Sequence, residues 1–215
     1  DLPGVMTANA ARSYLNRYGV AVGSKVAVFT NGGSGYRTAG DLSARGVEVA
    51  AIIDARAAST DPAPYGVRVI HGGAVVATKG RNRIDALVAE RAGFEEEIAC
   101  DALAMAGGWS PIVHLMCQRG AKPVWSDAAK AFVAPDVGAN FVAAGSAAGA
   151  DTIAACLRDG ASKAAAFSTE LGFAAYEANI PEVEGEYDPD FAPLWYVPGA
   201  KDKAFVDFQN DVHVG

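Results

Sequence analysis

Residues 26–54, VAVFTNGGSGYRTAGDLSARGVEVAAIID, constrain the fold more than any other part of the chain. They combine an apolar strand, a glycine-rich turn, a helix and a second apolar strand that ends in a carboxylate. Fully apolar strands joined by a helix are typical of a parallel sheet covered on both faces. The stretch therefore predicts an α/β fold that contains half of a Rossmann-like mononucleotide-binding unit.

The glycine-rich turn can be aligned with the G-x-G-x-x-G pattern of dinucleotide-binding proteins in two ways. The matching residues are Gly33-x-Gly35-x-x-Thr38 in one register and Thr30-x-Gly32-x-x-Gly35 in the other. We favour the second, because it begins at the end of the strand and puts Gly35 where the helix must pack closely on it. Either register leaves the pattern imperfect. Glycines are also needed at any tight strand-to-helix turn, so a purely structural role is the alternative.

An acid after the second strand strengthens the nucleotide interpretation. Asp54 lies 19 residues after Gly35, close to the spacing at which a carboxylate binds the ribose hydroxyls. Such an acid favours NAD over NADP, because it repels a 2'-phosphate. Arg56 leaves the choice open, since it could pair with that phosphate or stack on adenine.

Local patterns predict further elements before residue 120. These are a helix over residues 7–18, a hairpin over 66–80 that turns at His71-Gly72-Gly73, a helix over 83–92, a strand over 97–106 that ends in a glycine loop, and a short helix over 113–119.

The second half of the chain repeats the plan of strand, small-residue turn and helix. The predicted elements are a strand over 140–144, a turn over 145–149, an alanine-rich helix capped at Asp151, an extended segment over 180–199 with four prolines, and a last strand over 203–212.

Composition excludes several classes of partner. A net charge of -7 and a pI near 4.9 argue against nucleic acid or an anionic membrane as partner, because both attract clustered Lys and Arg. The three cysteines form no C-x-x-C pair, which fits a reducing cytoplasm. No apolar run of about 18 residues is present. The start of the chain, which lacks an initiator methionine, suggests a fragment of a longer protein.

Catalytic and metal motifs are not recognised in the sequence. Neither Ser34 nor Ser146 lies at the centre of a G-x-S-x-G elbow, which argues against a hydrolase. The three histidines lack metal-ligand spacing, so no metal site is predicted. Cys100 lies in an apolar run typical of a buried, unreactive thiol.

Several long segments resemble the α subunits of heterotetrameric sarcosine oxidases. They are DLPGVMTANAARSYLNRYGV, VAVFTN with SGYRTAGDL, VEVAAIIDAR, GGWSPIVHLMCQRGAKPVW, AAGSAAGADTIAACLRDGASKA and KAFVDFQNDV. The resemblance implies a flavoprotein subunit with two dinucleotide-binding domains, in which an NAD domain is inserted into an outer FAD-type domain.

The resemblance also implies a domain division. Residues 1–22 would be a helix of the outer domain, 23–108 the inserted NAD domain, 109–179 the returning part of the outer domain, and 180–215 a linker towards a folate-binding domain.

Cofactor-binding positions are implied by the same resemblance. The pyrophosphate would lie at Thr30, Asn31, Gly32, Gly33, Ser34, Gly35 and Tyr36, the adenosine ribose at Asp54 and Arg56, and a covering loop at Gly107, Gly108 and Trp109.

The function implied is that of a non-catalytic NAD-binding segment. With its partner subunits and the remainder of the α subunit, the complex would carry FAD and FMN and oxidise sarcosine to glycine. Tetrahydrofolate would accept the one-carbon unit and oxygen the electrons. Two alternatives remain: an NAD(P)H-dependent flavoprotein reductase or opine or amino-acid dehydrogenase α subunit, and an interaction module with a vestigial nucleotide site.

Overall fold

The structure, a computed structural model, describes residues 2–135, 138, 141–174, 176–185, 191–194 and 196–200, and the strands at 205–207 and 212–213. The chain divides into two compact units, Asp1–Gly108 with Asp190–Gly215, and Trp109–Pro189. The strands are β1 Val5–Thr7, β2 Lys25–Thr30, β3 Glu48–Asp54, β4 Val69–His71, β5 Ala74–Lys79, β6 Ala86–Arg91, β7 Phe94–Ala99, β8 Ala102–Ala106, β9 Val124–Ser126, β10 Ala131–Val133, β11 Phe205–Asp207 and β12 Val212–His213. The helices are α1 Ala8–Tyr18, α2 Gly33–Ala44, α3 His114–Gln118 and α4 Ile153–Glu170.

A five-stranded parallel sheet, in the order β1-β8-β2-β3-β4, is the centre of the first unit. Strand β2 is apolar on both faces because both are covered. Val26 and Val28 pack in one core with α1 and α2, whereas Ala27 and Phe29 pack in a second core. The predicted α/β class is confirmed, and α1 and the β2-α2-β3 unit lie within a residue or two of the predicted bounds.

The second core separates this sheet from a three-stranded antiparallel meander, β5-β6-β7. The predicted hairpin over residues 66–80 is therefore wrong. Strand β4 pairs in parallel with β3, at Asp54 and His71, whereas β5 begins at Ala74 in the other sheet. The His71-Gly72-Gly73 turn passes the chain between two sheets and does not fold it back on itself.

The predicted helix over residues 83–92 is also wrong, because the structure has strand β6 there. Its residues Ala86, Leu87, Val88 and Ala89 are buried between two neighbouring strands. The good helix propensity of Ala86, Leu87 and Ala89 is overridden by this pairing. A turn at Ala92-Gly93, with positive φ at both residues, leads into β7.

The predicted strand over 97–106 is two strands, β7 and β8. The chain breaks between them at Cys100 and Asp101, and β8 ends before the Gly107-Gly108 loop as predicted. Cys100 is buried, in agreement with the sequence analysis, and burial with the nearby Asp101 charge raises the pKa of its thiol to about 11.

The second unit contains the short hairpin β9-β10, which the sequence analysis missed, and helices α3 and α4. Both helices were predicted, but Thr152 caps α4 and not Asp151, since its side chain accepts a hydrogen bond from the backbone of Ala155. Residues 141–144 form no strand, which corrects the prediction there; Asn140 lies outside the described residues.

The described residues of 180–199 contain no helix and no regular strand, as predicted, and Phe191 forms an isolated bridge to Gly32. Part of the predicted last strand lies outside the described residues; β11 and β12 fall at 205–207 and 212–213. In the part of the chain that the structure describes, no helix is long and apolar enough to cross a membrane. The domain boundaries after residues 22, 108 and 179, which the resemblance implies, stay a prediction.

Asp101 fixes the start of β2, which gives a test of the fold. Its carboxylate accepts hydrogen bonds from Ser24 N at 2.9 Å and Lys25 N at 2.8 Å. Burial alone would raise the pKa of Asp101, but these bonds outweigh it and lower the pKa. We expect Asp101→Asn to reduce the free energy of unfolding by about 1 kcal/mol at neutral pH, since a partly exposed charged acceptor is lost.

Urea unfolding followed by circular dichroism measures this, with the exposed Asp85→Asn as the charge-matched control. Because the folded-state pKa is lowered, the Asp101 contribution is present at neutral pH and declines as the pH falls through that pKa. The gap between wild type and variant should therefore narrow in acid. A gap that is absent at pH 7 would show that Asp101 does not stabilise the start of β2.

Candidate functional site

The carboxyl ends of β2 and β8 meet at the centre of the parallel sheet. Thr30 pairs with Ala106, and Asn31 N donates to the Ala106 carbonyl at 3.2 Å. The chain leaves β2 towards β3 on one side, while β8 lies on the other, so this point is a topological switch point where α/β proteins bind ligands. It brings the predicted turn together with Gly107 and Gly108. Trp109 belongs to the second unit and is 56% exposed.

Thr30 explains how the turn forms without a glycine at its first position. Its hydroxyl donates to the carbonyl of Gly32 at 2.7 Å and accepts from Gly32 N at 3.2 Å. Gly32 is the N-cap of α2 and brings no side chain to cap the helix. The N–H groups in the first turn of α2 therefore have no side-chain cap from Gly32, and an anion from elsewhere can complement their partial positive charge.

Gly35 lies against Thr30, as the favoured register predicts. A Cβ atom on Gly35 would be 2.5 Å from Thr30 Oγ1, closer than real Cβ atoms approach a neighbour. Helix α2 can pack on β2 only because this side chain is absent.

Asp54 is completely buried at the end of β3. Its carboxylate accepts hydrogen bonds from the Tyr36 hydroxyl at 2.8 Å, from Arg56 N at 2.9 Å and from Arg56 Nη2 at 2.9 Å. Burial and the bond to Asp54 raise the pKa of Tyr36 well above its usual range. Of the predicted site residues, Tyr36, Asp54 and Arg56 thus form one hydrogen-bonded cluster.

Asp61 joins this cluster and was missed by the sequence analysis. Arg56 Nη2 lies 2.7 Å from Asp61 Oδ2, and Ser59 Oγ also donates to Asp61 at 2.7 Å. Burial would lower the pKa of Arg56, but the bonds to Asp54 and Asp61 outweigh it and raise the pKa. A Cβ atom on Gly33 would be 2.7 Å from Asp61 Oδ1, so this carboxylate lies against the first residue of α2.

The other side of the turn contacts the segment that begins at Phe191. Asn31 Nδ2 donates to the carbonyls of Gly107 at 3.2 Å and Ala192 at 2.9 Å, and Ala192 N donates back to the Asn31 carbonyl. Asn31 Oδ1 is buried without a hydrogen-bond partner among the described residues. Phe191 lies over Gly108.

A mainly apolar cavity of about 390 Å³ adjoins Asn31 within the first unit. It is lined by Val5, Phe29, Thr30, Asn31, Val75, Val76, Ala77, Thr78, Leu103, Met105, Ala106, Gly107, Leu194, Tyr196, Val197 and Ala200. Its size is within the range of small-molecule sites.

The turn has the chemistry that a pyrophosphate requires. Gly33 leaves the backbone of the helix start open to a close neighbour, and an anion already lies there in the form of the Asp61 carboxylate. The same observation shows what binding would demand. A phosphate could bind at Gly33 only if Asp61 moved. A ribose could bind to Asp54 only if its hydroxyls replaced some of the hydrogen bonds that Tyr36 and Arg56 now donate to this carboxylate.

Comparison with known proteins shows which sequences this chain is similar to. No protein-family model matches the chain. Sarcosine oxidase subunit alpha of Rhizobium meliloti (strain 1021) is 49% identical over 215 residues, which is 100% of this chain and 22% of that protein. The chain resembles a segment of sarcosine oxidase α subunits. Sarcosine oxidase subunit alpha of Corynebacterium sp. (strain P-1) is 39% identical over 98% of this chain and 24% of its own length. The resemblance expected from the sequence is confirmed, and the chain spans less than a quarter of these relatives.

Solved structures share the fold. L-proline dehydrogenase from P. horikoshii superimposes with a TM-score of 0.60 and 21% identity, over 82% of this chain and 32% of that chain. Thioredoxin reductase from T. acidophilum gives a TM-score of 0.50 and 15% identity, over 80% of this chain and 59% of that chain. At these identities the likeness shows a common α/β architecture and not a common reaction.

The contact between Gly35 and Thr30 can be tested with a matched pair of variants on α2. Gly35→Ala should lower the free energy of unfolding by about 1–3 kcal/mol, because helix and strand must separate to admit the methyl group. Gly40→Ala is the control, since no atom lies within 4 Å of its Cβ position. It should leave stability unchanged or raise it by up to about 1 kcal/mol through helix propensity. Equal effects in urea unfolding would contradict the close packing.

Proposed function

We propose that the chain is the dinucleotide-binding segment of a sarcosine oxidase-like α subunit, that NAD is its nucleotide, and that it contributes no catalytic residue. The observation that carries the proposal is the glycine turn at the switch point of the parallel sheet, in a chain 49% identical to such a subunit throughout. Ligands of open parallel sheets bind at this position. The relatives are also named as subunits, which supports a place in an oxidoreductase complex.

The proposal assigns a part of the NAD molecule to each group of predicted site residues. Backbone groups at Gly33 and Gly35 would bind the pyrophosphate at the start of α2. Asp54 and Arg56, at the end of β3, would lie nearest the adenosine ribose. Gly107 and Gly108, which come after β8 on the other side of the switch point, would border the nicotinamide half.

The wider assignment rests on the resemblance alone. In the proposed complex NAD is bound tightly and not turned over. A flavin of the β subunit carries out the amine oxidation, a second flavin lies between the α and β subunits, and the complex as a whole carries FAD and FMN. The substrate would be sarcosine, the acceptors tetrahydrofolate and oxygen, and the compartment the cytoplasm. Partner subunits and the remainder of the α subunit would complete the enzyme, an oxidoreductase acting on the CH–NH group of amines.

One observation favours a second candidate, an interaction module whose nucleotide site is vestigial. Asp54 is completely buried and already bonded to Tyr36 and Arg56, and Asp61 lies where a phosphate would. A site closed by its own side chains is what loss of the ligand would leave behind. The two candidates differ in whether the protein binds NAD.

Calorimetric titration of the full-length protein with NAD, NADP, ADP and FAD separates them. We expect NAD and ADP to bind and NADP to bind more weakly, because the Asp54 carboxylate repels a 2'-phosphate. Gly33→Ala should weaken NAD binding by about tenfold or more, since its methyl group would intrude on the closest backbone approach. The nearest atoms to that position belong to the Asp61 side chain, whose end can shift, so the fold should tolerate the change.

Gly40→Ala on the same helix is the control and should bind NAD as the wild type does. If the wild type binds none of the four nucleotides, the vestigial site is the correct candidate. If NAD binds equally to wild type and Gly33→Ala, the nucleotide lies elsewhere. Asp54 variants are less suitable, because removing one member of a buried ion pair costs about 3–5 kcal/mol of stability.

A further inference from the structure

The Asp61 carboxylate lies against the start of α2. It comes from the connection between β3 and β4, in which the structure shows no helix or strand. The connection is largely exposed, and Ser59 and Asp61 are half-buried where they face Arg56. Asp61 is thus delivered by a segment with few buried groups, which can move at low cost in free energy.

The Asp61 carboxylate has the negative charge that an external anion would bring, and it lies against the start of α2, where such an anion would bind. The N-cap residue Gly32 has no side chain to offer, so Asp61 supplies the negative charge that a helix start attracts. Its Oδ1 lies 2.7 Å from the position that a Cβ atom on Gly33 would take, so a phosphate oxygen that approaches this backbone would meet the carboxylate. A nucleotide pyrophosphate and Asp61 cannot occupy this place together, because they overlap and repel.

Arg56 sets the charge of the site once Asp61 has left. It is paired with both Asp54 at 2.9 Å and Asp61 at 2.7 Å, so the cluster of one cation and two anions is negatively charged. If Asp61 leaves, Arg56 keeps its buried partner Asp54. Its Nη2 atom, which also bound Asp61, then faces the position at the start of α2 that the carboxylate has left. The cluster is then neutral, and its guanidinium can pair with a phosphate.

We propose that Asp61 is an autoinhibitory contact: its carboxylate competes with the nucleotide phosphates for the start of α2, and nucleotide binding displaces the segment 57–66. This inference rests on the proposed function, since it concerns the same dinucleotide site. The free energy of NAD binding is then the free energy gained from the nucleotide phosphates minus that of the Asp61 contacts that they displace. The wild type then binds NAD less tightly than a protein whose site is not occupied by Asp61.

Asp61→Asn in the full-length protein tests the competition. The amide keeps the shape of the side chain and its hydrogen bond to Ser59 but removes the charge. Calorimetric titration with ADP and with NAD should show binding at least about tenfold tighter than in the wild type. Glu48→Gln is the matched control. It removes one negative charge from the amino end of β3, whereas Asp54 lies at the carboxyl end of the same strand. This variant should therefore leave both affinities unchanged.

The outcomes separate this inference from the function on which it rests. Equal affinities in wild type and Asp61→Asn, or weaker binding by the variant, would overturn the autoinhibition and leave the nucleotide site standing. Binding by Asp61→Asn alone would support the autoinhibition and would show that Asp61 closes the wild-type site, so the vestigial candidate would then describe the wild-type protein. If neither protein binds ADP or NAD, the proposed function fails, and the inference with it. Asp61→Ala, which preserves the Arg56–Asp54 pair, repeats the test should the amide fold poorly.

Hydrogen exchange with and without NAD gives a second measurement in the wild-type protein. Displacement predicts faster amide exchange over residues 57–66 and slower exchange at the start of α2. A merely structural Asp61 would leave exchange in the segment unchanged. Slower exchange in both regions would mean that the segment closes over the ligand, and would overturn the proposal.

Discussion

The ion pairs of Arg56 hold together the three parts of the molecule that meet at the switch point. Asp54 ends β3 and is fully buried, Asp61 lies against α2, and Arg56, which is 8% exposed, is bonded to both. Removing Asp54 or Arg56 would leave the other buried charge without compensation, which is strongly destabilising. The Tyr36 hydroxyl adds a bond from α2 to Asp54. The glycine turn therefore owes its shape to this cluster as much as to its glycines.

The same contacts place stability and ligand binding in opposition. A helix start without a side-chain cap is stabilised by an anion, and in this chain the anion is covalently part of the protein. Every bond that Arg56 makes to Asp61 helps to order the β3–β4 connection and is unavailable to a phosphate. On the other side of the turn, the two hydrogen bonds between Asn31 and Ala192 hold the segment that begins at Phe191, whose own residue Phe191 bridges Gly32 and lies over Gly108. The turn is covered from both sides by groups of its own chain.

The central unit was predictable because its signals are local. The apolar runs of β2 and β3, the glycines between them and the acid at Asp54 all lie within residues 26–54. The meander was not, because the residues of β6 favour a helix in isolation and become a strand only between β5 and β7. Asp61 was missed for a related reason. Ser59-Thr60-Asp61-Pro62 is an ordinary turn sequence, and only the folded chain shows that its carboxylate faces Gly33.

A crystal structure of the full-length protein with bound NAD tests the central claim most directly, since the claim is that one place at the start of α2 is shared by Asp61 and the nucleotide phosphates. The account predicts phosphate oxygens at the backbone of Gly33–Gly35, Asp61 displaced from Gly33, and Arg56 still paired with Asp54. A nucleotide bound elsewhere while Asp61 remains against Gly33 would contradict it.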